Sequence, residues 1–365
     1  MSTLNSHFRF SLLPKNNKRI ILEINLYFET DKYCWQWHIC NIEWIRENSY
    51  IEFRSSTPTL TVQRLRFING RCQDANGGCA IFQKNGGTTV INSCSFENNT
   101  GPAVGQDMAG GALGILGSGL SISNSHFETN TATGNGGNPG NGGNDGAISF
   151  DGLRRNNTIC GTRFTGNQAN QFGGAFFRVS YNGSEQNIFD NVLVDSNFIS
   201  INGNGLTGGF YIQGDIVTIR NSTVADNSAT GAGGIFFIND KSVTLNNINL
   251  LSNIAYTSIG AAVICSNPVT GLFTGLIVAN NSAGAFGAVF ASCSRTITVS
   301  NPIIADNIVK NTWPANPCTS MLNGGPGIVQ LPINKQKPAT GTDAFCPNGT
   351  ITKLYNVSII LDKST

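Results

Sequence analysis

The sequence has little charge, few histidines and no long apolar segment. Charged residues make up 12% of the 365 residues, about half the usual share of roughly 25%. The net charge of +2 lacks the basic excess that nucleic-acid binding requires, so no nucleic-acid partner is expected. No apolar run approaches the ~18 residues of a membrane-spanning helix, so no transmembrane segment is predicted.

Glycine and asparagine are abundant instead, with 43 Gly and 46 Asn. Both residues are poor helix formers, and both adopt positive φ angles at low cost. The composition therefore excludes a long helix or a coiled coil and favours β-structure with many tight bends. The hydrophobic share of 40% is large enough to form a core.

A short pattern recurs eight times, at intervals of 26 to 37 residues. Each copy has a bend residue, an apolar residue three positions later and an asparagine three positions after that. The bend residues are Ser93, Asn124, Gly161, Asn191, Asn221, Asn247, Gly275 and Asn301. The apolar residues are Phe96, Phe127, Phe164, Val194, Val224, Leu250, Val278 and Ile304. The asparagines are Asn99, Asn130, Asn167, Asn197, Asn227, Asn253, Asn281 and Asn307.

A second element, a glycine followed by apolar residues, comes after most of these asparagines. Its glycines are Gly111, Gly146, Gly174, Gly209, Gly234, Gly260 and Gly287, and we expect them to make a return turn where a Cβ would clash. A third, alternating stretch precedes each bend, as at 217–220. Three short strands per repeat predict an all-β fold, a right-handed parallel β-helix (solenoid) of about nine coils with terminal caps.

The columns of this fold have physical reasons. The apolar column is expected to face inward and to stack along the rod. Each recurrent asparagine can turn inward at a corner and bond to the asparagine one coil away, which forms a ladder. The longer loops at 131–144 and 198–206 vary most between repeats, and recognition usually lies in such loops.

Three regions follow from the repeat. Residues 1–64 are expected to form an N-terminal cap or flanking segment, 65–310 the repeats, and 311–365 a C-terminal cap and linker, since a β-helix must cover the strand edges at its ends. Cys72 and Cys79 flank the first Gly-Gly and would pair in an exported protein. Cys94 and Cys160 are expected to be small buried residues.

The pairing of Gly-Gly-apolar with Phe-x-x-Asn resembles the repeats of the chlamydial polymorphic membrane proteins (polymorphic outer membrane proteins). Phe96–Asn99, Phe127–Asn130 and Phe164–Asn167 match the second motif, and Gly173–Phe176 and Gly233–Phe236 match the first. The resemblance covers roughly residues 65–310. It implies a cell-surface or extracellular passenger used in adhesion, with a host-cell or cell-surface protein or glycan as partner. No secretory signal is visible at 1–17, so this location is expected from the resemblance alone.

The chain offers few residues for catalysis or metal binding. Asp195, Asp226 and Asp306 are expected near one edge of the rod, as a cation-binding stripe or as a solvated face. His126 has no evident acidic partner, and Cys34, His38 and Cys40 lack a second pair at zinc-ligand spacing. No catalytic residue, cofactor or metal is therefore predicted. The leading hypothesis is a non-enzymatic scaffold, with a polysaccharide lyase or hydrolase and a purely structural passenger repeat as the alternatives.

Overall fold

The protein is an all-β parallel solenoid. The computed structural model describes residues 59–309 and several short strands outside that range. Within 59–309, the residues left undescribed are 73–76, 85, 102–109, 135–142, 153–154, 181–182, 201–204, 257–262, 267–269, 284–289, 293–295, 301 and 306. The described residues contain no helix. Accordingly, none of the described part of the chain forms a helix long and apolar enough to cross a lipid bilayer.

The largest sheet, sheet 1, contains 20 strands. Most coils contribute two segments to it, separated by a bend, and in three coils the two segments join into one ten-residue strand. Its strands are Tyr27–Asp31, Cys34–Cys40, Glu43–Ile45, Thr59–Gln63, Arg66–Ile68, Thr88–Asn92, Ser95–Glu97, Gly119–Ser123, His126–Glu128, Asn157–Cys160, Arg163–Thr165, Gln186–Asp190, Leu193–Asp195, Ile216–Ala225, Ser242–Leu251, Thr270–Ala279, Thr296–Ser300, Ile303–Ala305, Ile351–Tyr355 and Ser358–Ile360.

Two further sheets complete each coil. Sheet 2 has eight two-residue strands: Thr100–Gly101, Thr131–Ala132, Gln168–Ala169, Phe198–Ile199, Ser228–Ala229, Ile254–Ala255, Ser282–Ala283 and Ile308–Val309. Sheet 3 has nine strands: Ile51–Arg54, Ile81–Lys84, Leu113–Leu116, Ile148–Asp151, Phe176–Val179, Phe210–Gln213, Ile235–Ile238, Val263–Ser266 and Phe290–Ser292. Each coil runs from sheet 3 through sheet 1 to sheet 2.

Neighbouring coils pair in parallel, and antiparallel pairs occur only near the chain ends among the described strands. They join Phe8–Leu12 to Ile20–Ile24, Tyr27–Asp31 to Cys34–Cys40, and Leu331–Pro332 to Ala344–Phe345. Strands within the predicted N-terminal segment also stack on the next coil: Cys34–Cys40 pairs with Thr59–Gln63 and Ile51–Arg54 with Ile81–Lys84. The side chains of residues 1–58 and 310–365 lie outside the described residues.

The predicted apolar column is confirmed by the strand register. Phe96 aligns with Phe127, Phe127 with Phe164, and the column continues through every later member to Ile304. The register also extends the column beyond the predicted members, to Phe67 and Trp44 before Phe96 and to Ile359 after Ile304. The rings of Phe67, Phe96, Phe127 and Phe164 stack with centroids 4.9, 4.6 and 5.1 Å apart. Such pairs contribute about 0.5–1.5 kcal/mol each beyond the burial of apolar area.

The bend column is also confirmed. All seven of its described members have φ between 48° and 63°. A second bend in each coil was not predicted. It lies at the residue before the ladder asparagine, where Asn98, Thr129, Ser196 and Asp226 have φ between 52° and 60°. The short segment that carries the apolar column therefore has one left-handed residue on each side, and these two residues turn the chain.

The asparagine ladder is present over all eight predicted residues. Each of the first seven donates its backbone N–H and its Nδ2 to Oδ1 of the next asparagine, at 2.8–3.1 Å. All eight Nδ2 groups also donate to a carbonyl of the apolar column one coil back, for example Asn227 to Val194 at 2.9 Å. The ladder begins at Gly70, whose N–H donates to Asn99 Oδ1.

The predicted glycines are required by the close approach of coils. A Cβ on Gly111, Gly146, Gly174 or Gly209 would overlap the backbone carbonyl oxygen of a glycine in the next coil. None of these four has positive φ, so the constraint is steric and not conformational. The register corrects the predicted column in two coils: Gly208 and Gly233 align with Gly111, Gly146 and Gly174, and the predicted Gly209 and Gly234 lie one residue later. Gly260 and Gly287 lie outside the described residues.

The cysteines follow the predictions in part. Cys72 and Cys79 form a disulfide, as expected. Cys94 is buried and its thiol donates to the carbonyls of Val62 and Asn92. The prediction for Cys160 is wrong, because the alternation of its strand turns this side chain outward.

Candidate functional site

An open groove of about 750 Å³ runs along the outer side of sheet 1. It follows the first bend of each coil, where the two segments of sheet 1 meet at Ser93, Asn124 and Gly161. The groove spans four successive coils. Its lining residues are Arg64, Leu65, Arg66, Ser93, Cys94, Ser95, Asn124, Ser125, His126 and Gly161.

The lining contains basic side chains and many hydrogen-bonding groups. It contains two arginines and a histidine but no carboxylate. Arg64 is exposed and makes no ion pair with any described residue. Ser93 and Asn124 are exposed at the bend itself. The apolar members Leu65 and Cys94 are buried beneath the surface.

The acids nearest the groove lie beside its basic side chains, and Glu97 also accepts a hydrogen bond from the lining residue Ser95. Arg66 forms a two-pronged ion pair with Glu97, with Nε–Oε1 at 3.0 Å and Nη2–Oε2 at 2.6 Å. The hydrogen bond from Arg66 lowers the pKa of Glu97. His126 Nδ1 lies 3.8 Å from Glu128 Oε2. Half of the Arg66 side chain remains exposed.

Similar ion pairs continue along the outer face of sheet 1. Arg163 Nη2 lies 3.2 Å from Asp195 Oδ2, and Arg220 Nη2 lies 2.8 Å from Asp190 Oδ2. Hydrogen bonds from Asn221 and then Arg220 lower the pKa of Asp190. Each pair joins two neighbouring coils, so these charges also stabilise the stacking by a small amount.

The predicted acidic stripe does not form a cation site among the described residues. Asp195 aligns with Ala225, so Asp195 and Asp226 lie at the same edge of the rod as expected. However, Asp195 accepts bonds from Arg163 and from the Thr165 hydroxyl. No cluster of three metal-ligating side chains occurs in the described part of the chain. Asp306 lies outside it.

The far end of the same face is apolar. Leu272, Ile277 and Ile303 point outward from sheet 1 and are 49, 37 and 39% exposed. The outer face therefore changes along the rod from charged and polar in the first coils to aliphatic in the last described ones.

A cluster of charged side chains lies inside the rod. Arg178 is fully buried in a core position of sheet 3, between Phe150 and Ile212 of the adjacent coils. Its guanidinium lies 4.1 Å from the centre of the Phe150 ring. Its Nε donates to Asp215 Oδ2 at 2.8 Å. Nη1 and Nη2 donate to the carbonyls of Gly152 and Arg155.

Two buried carboxyls stack in consecutive coils of this cluster. The Asp215 N–H donates to Asp240 Oδ1 at 2.8 Å, and Asn187 Nδ2 donates to Asp215 Oδ2. Both aspartates are fully buried. Loss of hydration raises the pKa of Asp215, although Arg178 opposes the shift. It raises the pKa of Asp240 much further, and the neighbouring Asp215 charge adds to the effect.

Sequence reasoning missed Arg178. The signal was available, because the Gly-Gly column places residue 178 in the same inward position as Phe150, Ile212 and Phe237. The two loops expected to carry recognition are only partly described: 135–142 and 201–204 lie outside the described residues.

Comparison of the chain with models of protein families, with curated proteins and with solved structures finds no match. Its function must therefore be inferred from its own geometry.

Proposed function

We propose that this protein is a non-enzymatic surface or secreted β-helix scaffold, similar to an adhesin or passenger, that binds a host-cell or cell-surface protein or glycan. The observation that carries this proposal is the groove on sheet 1. Its lining offers guanidinium, hydroxyl and amide groups but no carboxylate. Such a surface can hold a polar ligand, and it offers no carboxyl pair for hydrolysis.

The distribution of carboxyl groups argues in the same direction. The aspartates with a raised pKa, Asp215 and Asp240, are fully buried inside the rod. The acids Glu97 and Asp190 on the outer face of sheet 1 are partly buried and ion-paired, and their pKa values are lowered. A general acid needs the opposite combination, a raised pKa at a position that substrate can reach. The alternative of a polysaccharide lyase or hydrolase is therefore the less favoured one.

The proposed architecture is a right-handed β-helix of about nine coils with a cap at each end. The resemblance to polymorphic membrane protein repeats also implies a β-helix. The stacking of Cys34–Cys40 and of Ile351–Tyr355 on neighbouring coils supports a solenoid that extends beyond the repeats. The Cys72–Cys79 disulfide supports a location outside the cytoplasm, because disulfides persist in oxidising compartments.

The test is to expose the purified chain to a panel of immobilised extracellular proteins and glycans, and in parallel to incubate it with soluble polysaccharides. We expect saturable binding to at least one panel member and no new reducing ends or unsaturated sugars. Release of such products would support the enzyme instead. If the chain neither binds a panel member nor releases such products, the purely structural passenger repeat is the interpretation that remains.

A further inference from the structure

We propose that the groove on sheet 1 binds a linear polysaccharide that carries carboxylate groups. This inference rests on the proposed function and names the ligand class for that surface. It starts from charge complementarity: three of the ten lining residues are Arg64, Arg66 and His126, and none is acidic. Arg64 is exposed without an ion-pair partner among the described residues.

The same face shows how its arginines bind a carboxylate. Arg66 holds Glu97 through two parallel N–H···O bonds, and Arg163 holds Asp195 in the same way at 3.2 Å for both contacts. This fork geometry matches the two oxygens of a carboxylate. Arg64 carries the same donors in the groove lining, and none of them is ion-paired to a described residue.

The groove walls favour a glycan over an acidic peptide. A peptide commonly binds to β-structure by adding a strand at a free edge. Here the backbone amides of the walls are already engaged between coils: Ser93 donates to Ser123, Asn124 to Cys160, and His126 to Cys94. Only side chains remain for recognition. Exposed serine and asparagine groups beside cations suit sugar hydroxyls and a carboxylate.

The length and direction of the groove favour an extended polymer. The lining repeats once per coil, from Arg66 through Ser95 to His126. Two coil spacings separate Arg66 from His126, which is about 10 Å. A chain lying along the rod would therefore pass the exposed guanidinium of Arg64 and then the Ser93 hydroxyl and the Asn124 amide of the next two coils. A polymer with carboxylates on alternate sugars fits this order.

The probe is hyaluronan, which is carboxylated and unsulfated. Heparin, neutral dextran and polyglutamate of matched charge serve as comparisons, in titrations at low and physiological salt. We expect hyaluronan to bind best, with affinity falling as salt rises. Arg64→Gln should weaken binding about tenfold, the loss expected for one charge-assisted hydrogen bond. Arg220→Gln is the control, because Arg220 is an arginine on the outer face of sheet 1 that lies outside the groove and, unlike Arg64, is ion-paired, to Asp190.

Several results would overturn the inference. Equal or tighter binding of polyglutamate or heparin would show a general anion surface or a sulfate site. An equal loss in Arg220→Gln would place binding elsewhere on sheet 1. If another panel ligand binds while hyaluronan does not, the scaffold function stands and this ligand class is wrong. If nothing binds, both proposals fail. Circular dichroism of each variant confirms that the coils remain folded.

Discussion

Each ladder asparagine satisfies buried groups in three coils at once. Asn227, for example, donates to Val194 O and to Asn253 Oδ1, and its Oδ1 accepts from Asn197. It is fully buried, so water cannot replace these partners. Alanine at this position would leave several backbone and amide groups unsatisfied.

Asn227→Ala should therefore lower the free energy of unfolding by about 1–3 kcal/mol, measured by urea denaturation. Asn249→Ala is the control. Asn249 lies only partly buried on the outside of sheet 1 and bonds to the Thr223 hydroxyl at 3.2 Å, so a change within about 0.5 kcal/mol is expected. Equal stability of the two variants would contradict a stabilising role for the ladder.

Asp240 gives the fold a dependence on pH. Burial raises its pKa well above the ordinary value, so the folded protein binds this proton more tightly than the unfolded chain does. The stability contributed by Asp240 is complete below its ordinary pKa and is lost as pH rises through its folded pKa. Asp240→Asn should remove this loss, so that the variant gains stability over wild type from about pH 4 upward.

Thermal unfolding of both proteins across this pH range measures the difference. Asp190→Asn is a control of opposite sign. The pKa of Asp190 is lowered by Asn221 and Arg220, so its contribution is present above its ordinary pKa and is lost as pH falls. A stability difference between wild type and Asp240→Asn that does not change with pH would contradict the raised pKa.

Arg178 is the only described cation in direct contact with Asp215 inside the rod. Arg178→Met keeps much of the volume but leaves the two aspartates without a positive charge. We expect a loss of about 3–5 kcal/mol, as for other buried ion pairs that lose one partner. The double variant Arg178→Met/Asp215→Asn should recover part of this loss, measured by urea denaturation. No recovery would show that Arg178 acts through packing on Phe150 and not through charge.

At the scale of the element, the return turn depends on the absence of a side chain. A Cβ on Gly174 would overlap the carbonyl oxygen of Gly208 and approach Phe198 N. Because these are backbone atoms of the next coil, a side chain at Gly174 would fit only if the two coils moved apart. The Gly-Gly motif thus sets how closely successive coils stack.

Gly174→Ala should lower the midpoint of thermal unfolding more than Gly117→Ala does. Gly117 has φ of 66° but open space around its Cα, so alanine there costs only the left-handed backbone, about 1–2 kcal/mol. The φ angle of Gly174 lies outside the left-handed region, so the loss of stability on substitution by alanine comes entirely from the steric clash. Equal or smaller destabilisation at Gly174 would show that the coils can separate freely.

The features that could be predicted from the sequence are those that make the same contacts in every coil. The apolar column, the bend column and the asparagines occupy equal surroundings in each coil, so the same residue types recur. The second bend was not predicted because Thr129, Ser196 and Asp226 share no side-chain chemistry, and only their left-handed backbone is common. Arg178 was missed because it departs from its column in one coil.

At the scale of the whole molecule, the groove could not be predicted. It depends on the angle between the two segments of sheet 1 and on which side chains face outward at the bend. Sequence analysis assigned recognition to loops because their lengths vary. The described structure instead offers a concave surface formed by the regular strands, with Arg64 and His126 on different coils. Only the stacking of coils brings these residues together.

The ladder bonds all point the same way. In every link the asparagine that comes earlier in the chain donates, and the one that comes later accepts. Until the next coil arrives, each completed coil presents donors that its own residues do not satisfy. A rod cut between two coils would therefore have two chemically different ends: its C-terminal end would expose amide donors, and its N-terminal end would expose amide oxygens that accept.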